Sequence, residues 1–127
     1  MTPPLRAIVL FAHGARDPRW AEPFVAIAER MRLDQPLLLI ELAFLEMMEP
    51  GLAAAARRVV DGGATRVDVL PLFLGQGGHL RNDLPPLVDA LHRDHPGVVF
   101  RLHPAIGENQ AVIAAIAAAA RDAAFGE

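Results

Sequence analysis

Apolar and polar positions alternate along this chain in two distinct rhythms. Ala7–Ala12 is apolar throughout and rich in β-branched residues, the pattern of a strand covered on both faces. Trp20, Phe24, Ile27, Ala28 and Met31 then fall on one face of a helix, which Asp17-Pro18 is suited to open. Leu37–Leu45 is a second apolar run. Glu49-Pro50 is expected to start a helix with Leu52, Ala55, Ala56, Val59 and Val60 inward, ended by Gly62-Gly63. Val67–Leu74 predicts the third strand, and GQGGH after it a loop. Leu84, Leu87, Val88 and Leu91 form the next helical stripe, stopped at Pro96-Gly97. Val98–Leu102 predicts a short fourth strand. A last helix is expected from Asn109 to Ala124, with Val112, Ile113 and Ile116 on its buried side. The order βαβαβαβα predicts an α/β fold, a four-stranded parallel sheet with helices on both faces and flavodoxin-like layering.

Length and composition narrow the picture. At 127 residues, 53% hydrophobic and without a linker-like segment, residues 1–127 read as one domain with a real core. The net charge of −3 argues against a nucleic-acid surface. The chain has no cysteine, which removes disulfides, thiolate metal sites and a cysteine nucleophile. The longest wholly apolar run, Ala111–Ala120, is half the ~20 residues of a membrane span. MTPPLRAIVLFAHG has no export-signal pattern. A cytoplasmic protein is expected.

Candidate chemistry follows from the fold rule that open parallel sheets bind ligands beyond the carboxyl ends of their strands. His13 follows the first strand, Glu46 the second and His79 the third; His103 follows the fourth. Two imidazoles and a carboxylate suit a borderline divalent ion such as cobalt, nickel, iron(II) or zinc, and so few ligands leave coordination positions open. The plainer alternative is that each residue caps a strand end or bonds to a loop. His92 and His95, three apart near a helix end, read as solvated or capping groups.

Three motifs, HGARDPR, AFLEMMEP and LPLFLGQGGHLRNDLP, come in this order at successive strand ends, and PAIGENQAV follows. Together they resemble the class II chelatases, in particular the small single-domain sirohydrochlorin cobaltochelatases, from Ala7 to about Ala120. The resemblance implies insertion of a divalent metal into sirohydrochlorin without a nucleotide, in cobalamin or sirohaem synthesis. Co²⁺ is the first choice of metal, with Ni²⁺ or Fe²⁺ as alternatives. It implies that His13 and His79 bind the metal and that Glu46 is a further ligand or proton acceptor. Because longer relatives carry two copies of the unit, it also implies a homodimer, with the cleft between subunits. Arg16 and Arg81 closely follow the two histidines and are candidates to pair with the substrate's carboxylates. Gly77 and Gly78 would let the backbone approach a flat ring. Two other readings remain. A histidine phosphatase would carry Arg-His-Gly after the first strand, whereas Ala12 precedes His13 here. A metal- or tetrapyrrole-binding protein without turnover would share the fold.

Overall fold

The computed structural model describes residues 5–75 and 77–126, with His79 described by its main chain only. Strands β1 (Leu5–Ala12), β2 (Leu39–Phe44), β3 (Ala64–Pro71) and β4 (Val99–Leu102) alternate with helices α1 (Glu22–Asp34), α2 (Leu52–Asp61), α3 (Gly78–Asp94) and α4 (Gln110–Phe125). All strands are parallel, in the order β2-β1-β3-β4. The expected α/β architecture is therefore the one observed.

Alternation along the strands divides the core. On one face Ala7, Val9, Phe11, Val67, Val69 and Phe73 pack beneath Ala55, Ala56 and Val59 of α2 and Leu84, Val88 and Leu91 of α3. On the other, Leu10 and Ile40 pack beneath Ala28 of α1. Trp20, Phe24 and Phe44 close the end of that side over Ala12 and Ala21. Burying Phe11 and Leu10 fully is worth about 1.5–3 kcal/mol each.

Several boundaries differ from the pattern-based expectation. Pro18–Ala21 is a 3₁₀ turn capped by Asp17, and α1 starts after it. Glu49-Pro50 lies before α2, because the Pro50 carbonyl accepts a bond from the Phe44 N–H at 2.9 Å and Gly51 caps the helix instead. β3 starts three residues earlier than Val67. Gly63, at φ +104°, turns the chain straight from α2 into the strand. Gly78 and His79 belong to the first turn of α3 and not to a loop, with Gly77 as its N-cap. Leu87 and Ile27, expected inside, are 38% and 43% exposed.

The larger correction concerns α4. Val112 is only half-buried, Ile113 and Ile116 are 44% and 47% exposed, and no described residue of α4 is buried. Its direction is set by the turn Ile106–Glu108, where the Gly107 N–H bonds the Phe73 carbonyl at 3.0 Å. Asn109 caps the helix by accepting from the Ala111 and Val112 N–H groups. So placed, α4 packs on that turn and leaves the sheet uncovered. Among the described residues, no helix is long and apolar enough to cross a membrane.

Candidate functional site

The strand order gathers the candidate residues at the carboxyl edge of the sheet. β1 lies between β2 and β3, so Glu46, His13 and the start of α3 sit on three neighbouring segments. Neighbouring strands are about 4.8 Å apart. The ladder continues past the formal strand ends. The Leu45 N–H bonds the Ala12 carbonyl at 2.8 Å, and the Glu46 N–H bonds the His13 carbonyl at 3.0 Å. On the other side, the Leu72 N–H bonds the Phe11 carbonyl at 2.8 Å.

His13 is exposed, but its ring is not free to wander. It lies on the ring of buried Phe73, with centroids 4.3 Å apart and planes tilted by 36°. Phe73 falls opposite His13 when the β1–β3 register, Phe11 against Pro71, is carried two residues on. Pattern reading missed Phe73, since it looked like one more strand residue. The register that sets it across from His13 is non-local, so no spacing in the sequence pointed to it.

Gly14 completes this corner. Its φ of +95° is a conformation L side chains rarely adopt, and a Cβ there would run into the Glu46 carbonyl. The close approach of Gly14 to Glu46 brings the chain segments bearing the histidine and the carboxylate together. Glu46 is exposed at the start of a tight loop, where the Met48 N–H bonds the Glu46 carbonyl at 2.8 Å and Met47 has φ 66°. Met47 points to solvent, 61% exposed, while Met48 packs against Phe44 and its neighbours.

His79 is the second residue of α3, at the same edge; its side chain lies outside the described residues. Arg16 and Arg81 are exposed, and neither forms an ion pair among the described residues. A Cβ built on Gly77 or Gly78 would meet nothing within 4 Å. The fold therefore does not itself demand glycine at either position. Asp17, in the same loop as Arg16, is held below the usual carboxylate range by the Arg19 side chain and then by the Arg19 backbone N–H.

The other histidines are accounted for. His103 Nε2 and Asp68 Oδ1 are 2.8 Å apart, on the face of β3 opposite Val69 and Phe73. This pairing turns His103 away from His13. His92 and His95 flank Phe100, at centroid distances of 5.6 and 5.9 Å. Ala12, fully buried, stands where a histidine phosphatase needs an arginine. A groove of about 370 Å³ between α1 and β2, lined among others by Val25, Leu42, Phe44 and Pro50, does not include His13 or Glu46. Among the described residues, no three His, Asp or Glu side chains form a closed metal site. What this edge offers is two exposed groups, an imidazole and a carboxylate, on main-chain segments joined by a hydrogen bond.

The CbiX family model matches residues 7–123. A sirohydrochlorin cobaltochelatase of Methanocaldococcus jannaschii is 32% identical over 91 residues, which are 72% of this chain and 64% of that protein. The matched segment thus spans less than two thirds of the relative's own length. A sirohydrochlorin ferrochelatase of Priestia megaterium is 25% identical over 84% of this chain and 40% of its own. Among solved structures, a CbiX protein from Marinobacter aquaeolei VT8, named for cobalamin (vitamin B12) biosynthesis, superposes with a TM-score of 0.82 at 35% identity. That match covers 94% of this chain and 98% of the other. The sirohydrochlorin chelatase SirB of Bacillus subtilis subspecies spizizenii, in complex with cobalt, superposes with a TM-score of 0.79 at 26% identity. It covers 92% of this chain and 50% of SirB.

Proposed function

The chain belongs to the CbiX family of class II chelatases, and on that premise we propose that it inserts a divalent metal into sirohydrochlorin without a nucleotide. The observation that carries the reading is the corner at the sheet's edge. His13 and Glu46 are tied by a main-chain hydrogen bond, packed on Phe73 and Gly14, and still exposed.

Three obstacles define the chemistry: the metal must shed water, the macrocycle must present its nitrogens, and two pyrrole protons must leave. His13 and His79 hold the incoming ion at one face of the ring, turning an encounter between two solutes into a positioned one. Glu46 accepts one proton as a ring nitrogen turns its lone pair toward the metal, and the second leaves to water at the open edge. Few and exposed ligands are an advantage, because the tetrapyrrole must win the ion. Arg16 and Arg81 pair with the substrate's carboxylates, and Gly77 and Gly78 let the ring approach the start of α3.

We assign Co²⁺ as the first metal, a choice supported by the cobaltochelatase relatives. The ferrochelatase relative keeps Fe²⁺ in the comparison, and Ni²⁺ fits the same ligand types. This chain spans half of SirB, which supports two copies acting together as a homodimer. The test is anaerobic absorbance spectroscopy of sirohydrochlorin with Co²⁺, Fe²⁺ and Ni²⁺ in turn, for the parent, His13→Ala and His79→Ala. The parent should metallate the ring well above background and both variants should fall toward it. Equal rates in all three would remove the histidines from the reaction. Metal binding without turnover would favour a carrier.

A further inference from the structure

Large apolar side chains left in water call for a reason, and two of them stand at the carboxyl edge of the sheet. Met47 is 61% exposed and Leu74 70%. Among the described residues, they are the exposed large apolar side chains in the loops that follow the strands, one in the loop after β2 and one in the loop after β3. Each is displayed by a constrained main chain. Met47 is the centre of a one-residue turn, closed by the Met48 N–H on the Glu46 carbonyl at 2.8 Å, and has φ 66°. That conformation is strained for a residue with a side chain, and glycine adopts it more readily. The backbone therefore gives no reason for methionine, and the side chain must. Leu74 is held through its neighbours. The Gly107 N–H bonds the Phe73 carbonyl at 3.0 Å, and Gly107 lies so close to the Leu74 backbone that a Cβ on it would collide. Phe73 turns inward, 3% exposed, and Leu74 turns outward.

We propose that Met47 and Leu74 seat the flat face of the macrocycle over His13, an inference that rests on the chelatase reading and names what selects its substrate. β1 lies between β2 and β3, so the two side chains flank the strand that leads to His13. Phe44 is level with Ala12 and Pro71 with Phe11, and Met47 and Leu74 come equally far beyond these strand ends. The two loops thus leave the sheet at nearly the same height, two strand spacings or about 10 Å apart. A planar tetrapyrrole is broad enough to cover both side chains at once. A small hydrophilic polycarboxylate is not, and it has no apolar face to offer them. The unbranched thioether of methionine also conforms readily to a flat surface. The edge then treats the ligand part by part: Met47 and Leu74 meet the ring, His13 and Glu46 lie between them, and Arg16 and Arg81 meet the carboxylates at the rim. The apolar pair separates a planar macrocycle from the other polyanions that the arginines attract.

Met47→Ser and Leu74→Ser should each raise KM for sirohydrochlorin about 5- to 10-fold with kcat unchanged, the loss expected when roughly half of a large apolar side chain is no longer buried. The effect should not vary with salt, unlike that of losing Arg16 or Arg81. Met47→Leu and Leu74→Met should stay within about twofold of the parent. Both side chains are exposed, so the thermal midpoint should hold in all four variants. Fluorescence quenching of metal-free sirohydrochlorin gives its Kd, which should weaken by the same factor, and it tests the seat whether or not metal is inserted. Parent-like KM and Kd in both serine variants, or a fall in kcat at constant KM, would overturn the proposal. So would a changed sedimentation mass, which would give the two side chains to a contact between copies. A parent that neither binds nor metallates sirohydrochlorin would remove the chelatase reading and the seat with it. A parent that does both, with serine variants that match it, would remove the seat alone.

Discussion

Gly14→Ala tests the corner at its tightest point. The φ of +95° puts an alanine in the left-handed half of backbone space, which costs about 1–2 kcal/mol. The new Cβ would also collide with the Glu46 carbonyl, which is backbone and cannot rotate aside. Relief requires the two segments to part, and the bond from the Glu46 N–H to the His13 carbonyl, worth about 0.5–1.5 kcal/mol, is the first to lengthen. The total is about 2–3 kcal/mol. At about 4 °C per kcal/mol for a domain of this size, the thermal midpoint should fall by about 8–12 °C. The protein should still fold, and the rate of metal insertion should drop further than stability does. A shift of about 1 Å between positioned groups costs on the order of 100-fold in rate. Gly78→Ala is the control for stability. Its Cβ meets nothing within 4 Å, so the midpoint should hold or rise slightly. The assays are thermal unfolding by circular dichroism and anaerobic initial rates with Co²⁺ and sirohydrochlorin. A Gly14→Ala protein with the parent's midpoint and the parent's rate would refute the geometric argument for the corner.

Phe73→Leu should cost about 1 kcal/mol in urea unfolding, since an apolar group still fills the site. It should slow insertion several-fold because the His13 ring loses its platform; an unchanged rate would detach Phe73 from the site. Arg16→Ala and Arg81→Ala should each raise KM for sirohydrochlorin by about 3- to 10-fold with little change in kcat, more so at low salt. A fall in kcat at constant KM would contradict a role in holding the substrate's carboxylates. The Asp17 carboxyl is held below its ordinary value by Arg19, so its contribution to stability is present at neutral pH and lost as pH falls through the lowered value. Urea midpoints of the parent and Asp17→Asn should therefore differ near pH 7 and converge in acid; a constant gap would show the pair to be irrelevant to folding.

Much of this was legible in the chain because each element declares its period. The apolar block Ala7–Ala12, the helical face of Leu84, Val88 and Leu91, and the order of elements all follow from local pattern. The site was legible one step less directly. Nothing in the spacing of His13 and Glu46 says that they touch the same corner; that follows from β2 pairing with β1, a non-local fact. The misses share a cause. Gly77 and Gly78 read as helix breakers, yet glycine is tolerated at an N-cap and in a first turn, so α3 begins there and takes His79 with it. The pairing of His103 with Asp68 joins residues on adjacent strands that no local pattern connects. For α4 the periodicity of Ile113 and Ile116 marks an apolar face, but the turn Ile106–Glu108 leaves that face exposed, and a period cannot foresee the direction in which a turn sends the helix.

The two sides of the proposed site differ in how they are held, and under the proposed function the difference suits a metal in transit. His13 and Glu46 sit on extensions of the central ladder, each fixed by main-chain bonds and, for His13, by a buried ring. Their positions cost nothing further when substrate arrives, which is what a catalyst gains from placing groups on a sheet. Across the edge, a Cβ on Gly77 or Gly78 would meet nothing within 4 Å among the described residues, so none of these explains the absence of a side chain. At Gly78, inside the helix, a glycine that packing does not require is a cost to the fold, since alanine there would be up to about 1 kcal/mol more favourable, whereas at the N-cap Gly77 glycine is the better of the two. The return on that cost has to come from something outside the chain, and a flat macrocycle lying against the start of α3 is of the right shape. A Gly78→Ala protein that is more stable than the parent but slower to metallate sirohydrochlorin would show both halves of that exchange. One that is more stable and equally fast would leave Gly78 without a part in substrate approach.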